Sequence, residues 1–117
     1  MSELKNQISQ FIDTNAKIYQ DISLAIHAKP EVSDFEYFAS QTLSEQLKKE
    51  GFEIELPAAG HRTGFAATYK SNKPGPTVVF LAEYDALAGL GHGCGHNVFG
   101  ATSSLAGAAL KSVVDQI

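Results

Sequence analysis

The chain has 117 residues, 44% of them hydrophobic and 19% charged, with a formal net charge of −4. That is enough for one globular domain with a core and too little for two, and neither the charge nor any Lys/Arg cluster points to nucleic acid. One cysteine excludes an intrachain disulfide. The polar, amphipathic start is not a signal peptide, and no apolar run approaches a membrane span, so the expected compartment is the cytoplasm.

Leu4, Ile8, Phe11, Ile18, Ile22 and Ile26 recur at helical spacing, which predicts one long helix over residues 4–28 with a single apolar stripe, stopped by Pro30. Ser33 and Glu36 have the spacing of a capping box. A second helix is then expected through Phe35, Phe38, Leu43 and Leu47, with Lys48 and Lys49 in its last turn and Gly51 as its stop. His27 falls between the two helices, where a hydrogen bond to local backbone is the better reading.

Phe52, Ile54 and Leu56 alternate with Glu53 and Glu55, the pattern of a strand with one wet face. Residues 57–62 form a loop in which His61 and Arg62 are expected to be solvated. Residues 64–70 make a second strand, and residues 71–76 a turn rich in Gly and Pro. Residues 77–82 are apolar at both alternating sets of positions, as in a central strand covered on both faces.

The stretch FLAEYDALAGLGHGCGHN, Phe80 to Asn97, follows at the expected strand end. It carries Glu83, Asp85, His92, Cys94 and His96 in a loop leading into a third helix. Sites in open α/β sheets collect at such places because loops converge there over a rigid base. Gly95 between Cys94 and His96 tolerates backbone angles other residues avoid, so the turn can aim both side chains at one point. Thiolate and imidazole together suit a borderline metal such as zinc. Three other readings of the same residues stand beside this one: Cys94 as a small buried hydrophobe, the histidines as loop hydrogen bonders, and Cys94 as a nucleophile with a histidine base. The last lacks an identifiable third orienting group. Val98, Ala101, Thr102, Leu105, Ala109 and Val113 mark the third helix, whose many Gly, Ala and Ser residues allow a close approach to the sheet. The order helix, helix, strand, strand, strand, helix predicts an α/β fold, a layered unit with a mixed sheet flanked by helices.

Two of these segments resemble a known family. Glu83-Tyr84-Asp85-Ala86-Leu87 followed by Gly91-His92-Gly93-Cys94-Gly95-His96-Asn97 is similar to the His-x-Cys-Gly-His-Asp/Asn signature of the aminoacylase/carboxypeptidase G metallopeptidases (peptidase family M-twenty). It lies in their amidohydrolase branch, nearest the dipeptidase-like and aminobenzoyl-glutamate-hydrolase-like proteins. His27, Pro30, Glu31 and Glu36 match the early His-x-x-Pro-Glu segment of the same family. The resemblance covers the whole chain as the front part of a longer, zinc-peptidase-like catalytic domain, so residues 1–117 are expected to be its N-terminal fragment.

The resemblance implies a metal-dependent amidohydrolase. Its site would hold two divalent ions, zinc or manganese, with Cys94 and His96 as ligands and Asp85 and His92 supporting from behind. Glu83 stands where the family's His-x-Asp motif has histidine, and as ligand, support or remnant it stays open. The family's general base, a Glu-Glu pair, and a further histidine ligand would lie downstream, so no catalytic base is expected within this chain and the isolated chain is expected to be inactive. The implied substrates are small N-acyl amino acids or dipeptides, with no nucleic acid or membrane partner. The alternative is a non-catalytic or truncated module that folds and self-associates through an open sheet edge.

Overall fold

A computed structural model describes residues 2–117. Three helices form, α1 (Ser2–Ala28), α2 (Tyr37–Lys49) and α3 (His96–Lys111), together with two short strands, β1 (Glu53–Glu55) and β2 (Ala66–Thr68), and a 3-10 turn at Val114–Gln116. No helix among the described residues is long and apolar enough to cross a membrane.

The long first helix forms as its periodicity requires, but its core stripe is Tyr19, Ile22 and Ile26, while Ile18 is 43% exposed. Tyr19 takes the inward place because its ring fills the core while its hydroxyl donates to Glu50 Oε2 at 2.9 Å. Asn97 Nδ2 bonds Ser23 at the carbonyl and hydroxyl, 3.2 and 3.1 Å, and Gln116 Nε2 bonds Gln7 Oε1 at 3.1 Å. Helices α1 and α3 therefore run antiparallel along one another.

Helix α2 starts at Tyr37, two residues later than its apolar pattern suggests, and leaves Phe35 exposed. The expected Ser33/Glu36 capping box does not form. Glu36 occupies the N-cap position without a side-chain cap, and its carboxylate instead accepts from the Thr63 hydroxyl at 2.7 Å. The cap comes from Glu31, whose two carboxylate oxygens accept from the Phe38 and Ala39 amides at 2.9 and 3.0 Å. At the other end Gly51 does stop the helix. At φ +100° it donates to Lys48 O, and Phe52 donates to Leu47 O, the paired bonds of a Schellman turn.

Strands β1 and β2 pair antiparallel, with Glu53 opposite Thr68, Ile54 opposite Ala67 and Glu55 opposite Ala66. Ile54 is half-buried and its two glutamate neighbours are exposed, as the alternation requires. The second strand covers only part of 64–70. The expected central strand at 77–82 does not form, so the layered α/β unit carries a two-stranded antiparallel sheet in place of a mixed one. Val78, Val79 and Leu81 are 62%, 70% and 76% exposed. A strand apolar on both faces needs hydrogen-bonded neighbours, and neither β1 nor β2 reaches it.

The core consists of Tyr19, Ile22, Ile26, Ala39, Leu43 and Tyr84, with Phe38, Phe65 and Leu105 against it. Helix α3 presents Asn97, Gly100, Ala101, Ser104, Ala108 and Ala109 inward, so Val98 and Thr102 of the anticipated stripe lie outside. Its small side chains serve the close approach expected of them, but toward α2 and the 83–84 segment. A Cβ at Gly100 would stand 3.1 Å from Leu43 Cδ1, 3.2 Å from Tyr84 Cβ and 3.3 Å from the Glu83 carbonyl oxygen.

Candidate metal centre

The loop that carries the candidate ligands is held at three points. Tyr84 is buried, stacked on Phe65, and its hydroxyl donates to the Thr63 carbonyl at 2.5 Å. The Ala86 amide donates to Glu31 O at 2.7 Å, and Val32 and Ala86 form a parallel bridge. Leu87 and Gly91 exchange backbone bonds of 2.9 and 3.0 Å that close a tight turn, with Gly89 and Gly91 both at positive φ. The Pro30–Glu31 segment, which sequence alone marks only as a sign of kinship, is thus the loop's cradle. Glu31 caps α2 with its side chain and holds Ala86 with its carbonyl.

Tyr84 turns into the core while its two neighbours, Glu83 and Asp85, both reach His96, the first residue of α3. The hydrogen bond from His96 Nδ1 to Asp85 Oδ1 is 2.7 Å long, and His96 Nε2 lies 3.6 Å from Glu83 Oε1. Asp85 accepting from Nδ1–H leaves the neutral imidazole's lone pair on Nε2, facing Glu83. Ligand atoms of Glu83, Asp85 and His96 all lie within 4.8 Å of one another. His96 and Asp85 are partly shielded, with side chains 25% and 31% exposed, whereas Glu83 is 60% exposed. Imidazole nitrogen and carboxylate oxygen are ligand types of both zinc and manganese, so this trio fits a divalent cation.

Gly95 is the N-cap of α3 at φ +83°, and nothing lies within 4 Å of where its Cβ would be. The position therefore calls for glycine through its backbone angle and not for lack of space. Cys94, just before it, is exposed and lies outside the three-residue group. His92 is buried, only 8% exposed, and no protein group among the described residues hydrogen-bonds either ring nitrogen. Burial first, then the His27 and His96 rings beside it, hold its imidazole below the ordinary value of 6.5, so it is neutral at pH 7. His27 makes no side-chain hydrogen bond to local backbone among the described residues. Its ring instead sits 6.2 Å from that of His92. Arg62 stands away from this site, donating to the Asp34 carbonyl at 2.8 Å and lying over the Phe35 ring.

The contact that sequence spacing missed is the Glu36–Thr63–Tyr84 chain, which ties the start of α2 to the residue between the two carboxylates. Its members lie 27 and 21 residues apart. The advance signals were a glutamate between two aromatic residues, Phe35 and Tyr37, and a tyrosine between two carboxylates.

No family model matches the chain. It is 30% identical to a p-aminobenzoyl-glutamate hydrolase subunit of Escherichia coli over an alignment covering 99% of this chain and 27% of that protein. It is 33% identical to thermostable carboxypeptidase 2 of Saccharolobus solfataricus, covering 83% of this chain and 27% of the relative. It is 34% identical to the Xaa-Arg dipeptidase of Mus musculus, covering 97% and 28%. The chain spans about a quarter of the length of these curated relatives. These matches and the loop's residue pattern agree: over nearly its whole length the chain is similar to the N-terminal part of members of the aminoacylase/carboxypeptidase G metallopeptidase family (peptidase family M-twenty).

Proposed function

We propose that the chain contributes the N-terminal part of the catalytic α/β domain of a metal-dependent amidohydrolase that cleaves the amide bond of dipeptides or N-acyl amino acids. The observation that carries this reading is the Asp85–His96–Glu83 arrangement, in which one carboxylate orients an imidazole whose free nitrogen faces a second carboxylate. The relatives' names, a p-aminobenzoyl-glutamate hydrolase, a carboxypeptidase and a dipeptidase, describe enzymes that cut amide bonds beside an amino acid.

In this reading His96 Nε2 and the Cys94 thiolate hold a divalent ion, zinc or manganese, in a site for two. Asp85 keeps His96 in the Nδ1–H tautomer, and Glu83 supplies negative charge beside Nε2. When bound, the metal supplies Lewis acidity toward the amide carbonyl and lowers the pKa of a water. His92, neutral and buried, backs the ligand loop without adding charge. On this reading two protein ligands leave a four-coordinate site half filled, so the 117-residue chain binds metal weakly, and with no carboxylate of the trio assigned as general base it does not turn over.

The test is a zinc titration of the 117-residue chain, wild type against His96→Ala, Cys94→Ala and Asp85→Asn. Weak binding is expected, lost in His96→Ala, reduced in Cys94→Ala, and roughly 10–100-fold weaker in Asp85→Asn because the orienting partner is blunted. Tight binding that survives His96→Ala would show the ligands to be elsewhere. Binding unaffected by Cys94→Ala would remove the thiolate from the site. Dipeptide hydrolysis by this chain, indifferent to chelation and stopped by thiol alkylation, would replace the metal reading with a cysteine nucleophile.

A further inference from the structure

Glu36 is the one buried carboxylate among the described residues, 9% exposed, and it lies outside the ligand trio. It stands at the N-cap of α2, yet Glu31 supplies the cap. Its own carboxylate accepts from the Thr63 hydroxyl at 2.7 Å, and the Thr63 carbonyl accepts from the Tyr84 hydroxyl at 2.5 Å. Taking a carboxylate out of water is costly unless such a bond offsets it. Thr63 and Tyr84 are buried as well, and the Tyr84 ring is stacked on Phe65 with centroids 6.0 Å apart. Burial above all, with the Glu36 charge acting the same way, raises the Tyr84 phenol above the ordinary 10, so at neutral pH it remains a donor.

We infer that Glu36 and Thr63 are positioning residues that act through Tyr84 to aim Glu83 and Asp85 at His96. Tyr84 points into the core while its two neighbours both reach His96, so whatever fixes the direction of the tyrosine fixes theirs. The Ala86 amide, bonded to the Glu31 carbonyl at 2.7 Å, holds the other side, which leaves Asp85 between two anchors. Its 2.7 Å bond to His96 Nδ1 needs that setting, because a hydrogen bond weakens steeply once misaligned. Glu36 is free for this task because α2 keeps its cap without it. The consequence for zinc affinity rests on the metal reading above; the aim of the two carboxylates is a property of the metal-free chain.

Imidazole proton–nitrogen correlation spectra of the metal-free 117-residue chain, at a mildly alkaline pH where His96 is neutral, test the inference. In the wild type His96 should hold the Nδ1–H tautomer that Asp85 selects. Tyr84→Phe keeps the stacked ring and loses only the hydroxyl; it should shift His96 toward the tautomer mixture of a free histidine and weaken zinc binding roughly tenfold. Thr63→Val should do the same in milder form, whereas Thr63→Ser, which retains the hydroxyl, should behave as wild type. Circular dichroism verifies that each variant is folded, and Tyr84→Phe decides the matter should Thr63→Val unfold. A wild-type His96 already in the free mixture would overturn the inference, as would a folded Tyr84→Phe chain with unchanged His96 signals. Thr63→Ser losing as much as Thr63→Val would remove Glu36 and Thr63 from the role. No zinc binding by the wild type, with His96 still responding to Tyr84→Phe, would sink the metal reading and uphold the positioning.

Discussion

Two glycines of α3 offer a single substitution with opposite outcomes. Replacing a helical glycine by alanine gains about 1 kcal/mol of helix propensity wherever the new methyl has room. At Gly107 it has room, since the nearest atom to the new Cβ is Phe80 Cδ2 at 3.6 Å, an ordinary contact. At Gly100 the methyl meets Leu43 at 3.1 Å, Tyr84 Cβ at 3.2 Å and the Glu83 carbonyl at 3.3 Å. The leucine tip can rotate away, but the carbonyl and Tyr84 Cβ move only with the backbone, so overpacking of about 1–3 kcal/mol opposes the gain. Gly107→Ala should therefore raise stability by up to about 1 kcal/mol, and Gly100→Ala should lower it by roughly 0–2 kcal/mol. Urea unfolding followed by circular dichroism measures both, and a shift of midpoint at constant slope confirms that stability alone has changed. The same displacement would draw Glu83 and Asp85 away from His96, so Gly100→Ala should also weaken zinc binding while Gly107→Ala leaves it intact. Equal stabilisation by the two substitutions would show that α3 does not press on the 83–84 backbone.

Glu31→Ala removes both side-chain bonds at the start of α2 and should lower stability by about 2 kcal/mol, with Glu31→Gln intermediate; a change within the error of a urea midpoint would mean that the cap is not formed in solution. Asp115 accepts from the Tyr69 hydroxyl at 2.6 Å and the Asn72 amide at 2.9 Å, and these bonds, Tyr69's first, hold its carboxyl below the ordinary 3.8. A carboxyl whose folded pKa is depressed contributes stability above its unfolded value and loses it as pH falls through the folded one. Wild type should therefore exceed Asp115→Asn in stability at neutral pH, and the gap should close below about pH 4. A gap of constant size from neutral to acid pH would contradict this account of the clamp.

What was legible in the sequence was local. The long helix, the Gly51 stop, the wet strand at 53–55 and the glycine at the head of α3 each follow from a few adjacent residues and the backbone angles they allow. Readings that failed did so where a distant partner outbid a local one. Ser33 and Glu36 have capping-box spacing, but Glu36 bonds Thr63 and leaves the cap to Glu31. Ile18 lies on the apolar stripe, yet Tyr19 takes the core because Glu50 receives its hydroxyl. The candidate centre stood between these cases. Its residue types were visible in one loop, whereas the Asp85–His96 bond spans 11 positions and depends on Tyr84 being anchored from elsewhere.

Residues 77–82 show why a strand is a weaker inference than a helix. A helix satisfies its own backbone, so an apolar stripe in the sequence is nearly sufficient for it. A strand satisfies none of its own, and apolar residues on both faces call for neighbours along both edges and a layer above and below. In this chain the β1–β2 hairpin pairs with itself, and α3 offers only Gly107 beneath Phe80. The apolar pattern therefore specifies a surface that wants a partner strand, and the structure leaves that surface open beside the loop bearing Glu83 and Asp85. Whatever pairs with 77–81 would stiffen the base from which those two carboxylates reach His96.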